Sequence, residues 1–110
     1  MPNDSRGLLQ GTVDVLILKT LTVRPLHGYG ISEFIRQRSD GDLAVEDAAL
    51  YQALHRLERK GLVDSEWGVS DVNRRARIYS ITSAGRKQLR DEVGELRRYM
   101  TALFRVLEPA

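Results

Sequence analysis

Apolar residues recur along this chain at two periods, and the switch between them marks out the elements. Val13, Leu16, Ile17 and Leu21 fall at helical spacing, with Thr12 placed to cap the helix they imply. Residues before about Gly11 show no periodicity and read as a flexible arm over residues 1–10. The cluster Arg24-Pro25-Leu26-His27-Gly28 breaks the first helix, since Pro25 cannot continue it. Ile31, Phe34 and Ile35 at i, i+3 and i+4 predict a short second helix, and His27 reads as its entry residue. After a loop at Ser39-Asp40-Gly41-Asp42, Leu43-Ala44-Val45 reads as a brief extended segment. Leu50, Leu54 and Leu57 then make the apolar stripe of a third helix, starting near Glu46 or Asp47 and closed by Gly61.

Beyond Gly61 the period shortens. Leu62 to Trp67 and Arg77 to Ile81 have strand character, and the polar G-V-S-D-V-N-R-R between them predicts a hairpin loop. Thr82 or Ser83 caps a long last helix that reaches about Leu107. The order is helix, helix, short strand, helix, strand, basic loop, strand, helix. It predicts a mainly α fold with a small β-hairpin: a winged helix-turn-helix domain over residues 11–82, followed by a C-terminal dimerisation helix over 83–110.

Composition narrows the class without identifying it. The 110 residues suit about one domain, and the formal charge of +2 makes the distribution of charge more informative than its total. No cysteine is present, which excludes disulfides and thiolate metal sites and fits a reducing cytoplasm. The opening residues lack the pattern of a signal peptide. The most apolar run, Val13 to Leu21, contains Asp14 and Lys19 and is too short to span a bilayer, so no membrane partner is expected.

From Ala49 to Val63, Glu58 is the only acid against Arg56, Arg59 and Lys60. Advancing about 100° per residue, Gln52, His55 and Arg59 point away from the leucine stripe, with Tyr51 and Arg56 on the flanks. A solvated face on a core helix would look similar in outline, but three details favour groove recognition. Ala48 and Ala49 in the first turn allow close approach to a duplex or contact with a thymine methyl. Gln52 carries the donor and acceptor that adenine's edge requires. Arg56 and Arg59 suit phosphates or guanine edges. In the hairpin, Asn73, Arg74, Arg75 and Arg77 cluster at and just beyond the tip, where arginine forks fit phosphates or a narrow minor groove.

These segments also carry a resemblance. L-Y-Q-A-L-H-R-L-E-R-K-G-L-V, followed by W-G-V-S-D-V-N-R-R-A-R-I-Y-S-I-T-S-A-G-R-K-Q-L, closely resembles the PadR family of transcriptional regulators. L-H-G-Y-G-I fits that family's entry to the second helix, and the similarity extends over nearly the whole chain from Gln10. The resemblance implies a dimeric winged-helix DNA-binding protein, usually a repressor and often released by a small molecule. By position it assigns Tyr51 to the family's third-helix tyrosine, Arg74 and Arg75 to its wing arginines, and Tyr79 and Thr82 to its wing-to-helix junction. The chain departs from the family's pattern at Gln52, where proline is usual, and at Ala48-Ala49, where glycine and a hydroxyl residue are commoner. Those departures bear on the operator and not on the fold.

The last helix bears on assembly. Leu89, Val93, Leu96, Met100, Leu103 and Leu107 are spaced 4, 3, 4, 3, 4, a heptad-like seam. About 25 residues make roughly 37 Å of helix, more than so small a domain can cover, so a homodimer is expected. Gly94 within it marks a bend or a close helix approach. Tyr99, Met100 and Phe104 widen the apolar face and are candidates to line a site for a small apolar effector, plain core packing being the alternative.

Enzyme chemistry finds little support. His27 and His55 are the only histidines, and no G-x-S-x-G, P-loop or H-E-x-x-H motif occurs. His55 and Glu58 share a helix face, but no further histidine or cysteine completes a metal site, so no metal and no cofactor are expected. Trp67 and Tyr29 read as core or domain-edge residues. The expected function is a cytoplasmic, sequence-specific transcriptional regulator that binds a pseudo-palindromic double-stranded DNA operator as a dimeric repressor. The competing reading is a winged helix serving as a protein-interaction module without specific DNA binding.

Overall fold

The computed structural model describes residues 2–109, with side chains from residue 12 onward. Four helices and one antiparallel hairpin follow one another as α1 (Pro2–Val23), α2 (Gly28–Arg38), α3 (Asp47–Arg59), β1 (Val63–Val69), β2 (Arg75–Ile81) and α4 (Ser83–Leu107). This is the mainly helical fold with a small hairpin that the sequence pattern predicts.

The start of the chain differs from expectation. The backbone of residues 2–10 belongs to α1, so Thr12 lies inside that helix and does not cap it, and the expected arm over 1–10 is helical except for Met1, which is outside the described residues. The costly step in helix formation is nucleation, which the buried segment from Val13 onward supplies; extending the helix backwards then costs only the propensity of each added residue. Pro2 is compatible with a first helical turn because its missing N–H would have no partner there.

The core lies where α1, α2 and α3 meet the base of the hairpin. Val13, Ile17, Leu18 and Leu21 of α1 pack with Ile31 and Ile35 of α2, Leu50, Leu54 and Leu57 of α3, and Val63 and Tyr79 of the hairpin. Leu18 and Thr20, outside the predicted stripe, are also fully buried. The Thr20 hydroxyl is satisfied by donating to the Leu16 carbonyl at 2.8 Å. Phe34 and Leu16 are only partly buried.

Local signals end the helices as predicted. His27 caps α2, its Nδ1 accepting from the Gly30 N–H at 3.0 Å. Gly61 closes α3 at φ +75°, donating to the Glu58 carbonyl while Leu62 donates to that of Leu57, the paired bonds of a Schellman motif. The Thr82 hydroxyl caps α4 by accepting from the Gly85 N–H at 3.0 Å, and donates to the Gly61 carbonyl at 2.8 Å. One residue thereby joins the end of α3 to the start of α4.

The expected short strand at Leu43-Ala44-Val45 does not form. The Leu43 N–H is bonded instead to the Ser39 hydroxyl at 2.9 Å. The free edge of β2 is occupied by Leu26, which exchanges both backbone hydrogen bonds with Tyr79 at 3.1 and 2.9 Å. The hairpin is also longer than predicted, because Gly68, Val69, Arg75 and Ala76 pair within the sheet and leave a tip of residues 70–74.

Candidate nucleic-acid interface

Helix α3 is two-faced. Leu50, Ala53, Leu54 and Leu57 are at most 1 % exposed, and their burial fixes what the opposite face presents. Ala48, Ala49, Tyr51, Gln52, His55 and Arg59 are all exposed, as the helical period requires. Arg56 differs. Its Nη2 lies 2.7 Å from Asp14 Oδ1 on α1, so this flanking arginine is tied to the scaffold through one of its donors. Glu58, on the helix face it shares with His55, accepts a hydrogen bond from Ser65 at 2.7 Å. Among the described residues no group of three or more His, Cys, Asp or Glu side chains could hold a metal ion.

Tyr51 sits against the start of α2. Gly28 leaves it that room: a β-carbon there would collide with the phenol oxygen and come within 2.7 Å of the adjoining ring carbon. The tyrosine ring is therefore seated against α2 at one edge and 43 % exposed overall.

The wing tip is a closed turn. Ser70 N–H donates to the Arg74 carbonyl at 2.7 Å and Asn73 N–H to the Ser70 carbonyl at 2.9 Å. Asn73 adopts φ 59°, a left-handed conformation that asparagine tolerates better than most residues, so its presence is accounted for by the turn itself. Arg74 follows it, exposed. Arg75 and Arg77 lie over the ring of Trp67, at 4.7 and 5.5 Å from its centroid. Arg77 also donates from Nε to Ser65 Oγ at 2.9 Å.

Between α2 and the wing these residues line an open cleft of about 530 Å³, with His27, Tyr29 and Tyr51 on one side and Arg74, Arg75 and Arg77 on the other. The α2 N-terminus, with its positive end of the helix dipole, opens on the same cleft through Gly28 and Tyr29. Tyr29 and Trp67 are domain-edge residues, 70 % and 56 % exposed. Three arginines, a helix N-terminus and ring hydroxyls against the single carboxylate of Asp71, around an open cleft, suit an extended polyanion better than a small enclosed substrate.

The seam of α4 divides in two. Leu89 is buried and Val93 packs partly against the core. Leu96 and Leu103 are half-buried, whereas Met100 and Leu107 are 40 % and 63 % exposed. Tyr99 and Phe104 are 56 % and 48 % exposed, so within one chain these residues are not core. The molecule is accordingly elongated, 56 × 30 × 21 Å.

Sequence reasoning singled out the basic residues of α3 and the wing but missed the partners of Arg56 and Arg77. Ser65 and Trp67 share a strand face with Arg77 only once the register Trp67↔Arg77 is known. A five-residue tip would have implied that register.

The sequence matches the Transcriptional regulator PadR-like family over residues 17–91. A protein of Lysinibacillus sphaericus, described only as uncharacterised protein X, is 34 % identical over 89 residues, which span 80 % of this chain and 81 % of that one. Among solved structures, a transcriptional regulator from Clostridium thermocellum superposes with a TM-score of 0.85 at 28 % identity, covering 93 % of this chain and 99 % of that one. A PadR family transcription regulator from Clostridium difficile gives 0.76 at 26 % identity, covering 88 % and 99 %.

Proposed function

The chain belongs to the PadR-like family of transcriptional regulators, and from that premise we propose that it binds double-stranded DNA sequence-specifically as a homodimeric repressor. It is a regulator and not an enzyme. The observation that carries the proposal is the exposure of Ala48, Ala49, Gln52, His55 and Arg59 on α3 and of Arg74 and Arg75 on the wing, with Tyr51 of α3 and both wing arginines lining one cleft. In this reading α3 enters the major groove, Gln52 meets a base edge, and the wing arginines and Tyr51 hold the backbone.

The exposed apolar half of α4 supports assembly, because covering such a surface removes its apolar area from water, which is favourable. Two protomers joined along Leu96, Met100, Leu103 and Leu107 would present two reading helices to a pseudo-palindromic operator. Tyr99, Met100 and Phe104 would line the joint, where a small apolar effector could lower DNA affinity if it bound the free dimer better than the complex. No described helix is long and apolar enough to cross a membrane, and the proposed site of action is the cytoplasm.

Selection of bound fragments from genomic DNA, followed by titration of the recovered sequence at several salt concentrations, tests the proposal. A recurring inverted repeat bound more weakly as salt rises is the expected result. Binding that is absent or indifferent to sequence would overturn it.

A further inference from the structure

Trp67 is the only tryptophan of the chain and stands 56 % exposed on β1, part-way along the wing. Register pairs it with Arg77, and strand alternation puts Arg75 on the same face. Both guanidinium carbons lie within the roughly 6 Å at which a cation is held by an aromatic ring. The two arginines are nevertheless held differently. Arg77 donates to Ser65 Oγ at 2.9 Å, Ser65 donates onward to Glu58 Oε2 at 2.7 Å, and Arg77 Nη2 is 3.8 Å from the same carboxylate oxygen. Through that chain Arg77 is tied to the last turn of α3. The Arg75 side chain has the indole and, among the described residues, no hydrogen bond or ion pair.

We propose that Trp67 is a positioning residue for duplex binding, holding the Arg75 guanidinium ready for a phosphate while Arg77, anchored to Ser65 and Glu58, fixes the stack relative to α3. The inference rests on the DNA-binding reading above. A guanidinium stacked on a ring uses its face, and its N–H donors point outward in the plane of the group. The indole therefore restricts the arginine without consuming the donors a phosphate needs. A long side chain that is already confined loses less rotamer freedom on binding. The Glu58–Ser65–Arg77 chain transmits the position of the reading helix to the wing, so that the two contact surfaces meet the duplex in one register.

The test is a titration of a duplex of about 30 base pairs, roughly three helical turns, across several salt concentrations, with the full chain and four variants. Trp67→Ala is expected to weaken binding about two- to fivefold, the equivalent of an exposed cation–aromatic contact. The slope of log affinity against log salt should stay unchanged, because both arginines keep their charge. Trp67→Phe, which retains a ring, should recover part of the loss. Arg75→Ala should instead make the slope shallower by about one unit. In the double variant the Trp67 substitution should cost less than it does alone, since the residue it positions is gone.

Unchanged or tighter binding by Trp67→Ala overturns the proposal, the tighter result meaning that the indole competes with phosphate for the arginine. Additive losses in the double variant overturn it also, whatever the single variants show. Wild-type protein without salt-dependent duplex binding removes the DNA reading and the role of Trp67 together, an outcome distinct from a wild type that binds while Trp67 proves idle. Because Trp67 is exposed, the variants are expected to keep the wild-type circular dichroism spectrum. Trp67→Phe reads the same quantity should the alanine variant not fold.

Discussion

On the wing, Arg77 is tied to Ser65 and Glu58 and Arg75 lies over Trp67, whereas on the far half of α4 Tyr99, Met100, Phe104 and Leu107 stand 40–63 % exposed. Both surfaces face water, and water treats them in opposite ways. Solvated guanidinium groups are stable alone, so the wing can wait for an anionic partner and release it when salt competes. Exposed aromatic and aliphatic groups are driven together at all times. The first surface suits a reversible encounter and the second a standing one. The proposed dimeric regulator would use both, since a stable pair of α3 helices would have to leave and rejoin an operator.

The largest effect is expected from breaking the apolar side. Leu96→Glu places an unpaired carboxylate in the half-buried middle of the seam, at a cost on the order of several kcal/mol. Sedimentation should shift from dimer to monomer or aggregate, with operator binding abolished as well. A wild-type protein that sediments as a monomer at micromolar concentration would show that the α4 surface needs no cover, and the contrast with the wing would fail.

On the polar side, Gln52→Ala should cost roughly 1–3 kcal/mol on the preferred operator and much less on unrelated duplexes. Competition titrations decide between three roles: equal losses make Gln52 a backbone contact, and no loss leaves it facing solvent. If it reads bases, the two half-sites should lie about 34 Å apart or at a multiple of that distance.

Arg75→Ala is expected to act on all duplexes alike, reducing the salt slope by about one unit if its guanidinium neutralises one phosphate. An unchanged slope would place the wing away from DNA. The smallest effect belongs to Arg56→Ala. Because this side chain is paired with Asp14 and both partners are partly exposed, its removal should lower stability by only about 0.2–1 kcal/mol in denaturant titrations. The salt slope should stay as in the wild type. A slope change equal to that of Arg75→Ala would return Arg56 to the binding surface and blur the division between scaffold and interface.

What could be read from residue order alone was the part of the structure governed by near neighbours. The leucine stripe of α3, the Gly61 stop, the Thr82 cap and the two strands all depend on contacts within a turn or on alternation, and each formed where the pattern placed it, except that both strands run two residues further toward the tip. The outward face of α3 followed as the complement of its buried one. The family resemblance was legible for the same reason, since its motifs coincide with these local signals.

Tertiary structure decided the pairings. Asp14 and Arg56 are 42 positions apart, and nothing local forecasts that one will neutralise the other. The hairpin register, set by a tip of five residues, brought Ser65 and Trp67 beside Arg77. Leu26 took the edge of β2 for which Leu43-Ala44-Val45 had the better composition, because packing α1 against α2 carries the chain past Tyr79 at that point. Helix α1 began before its apolar period did, since propagation needs a nucleus and not a pattern. Periodicity determines which face of each element is buried, but which polar residue meets which across the fold depends on the distances that packing sets.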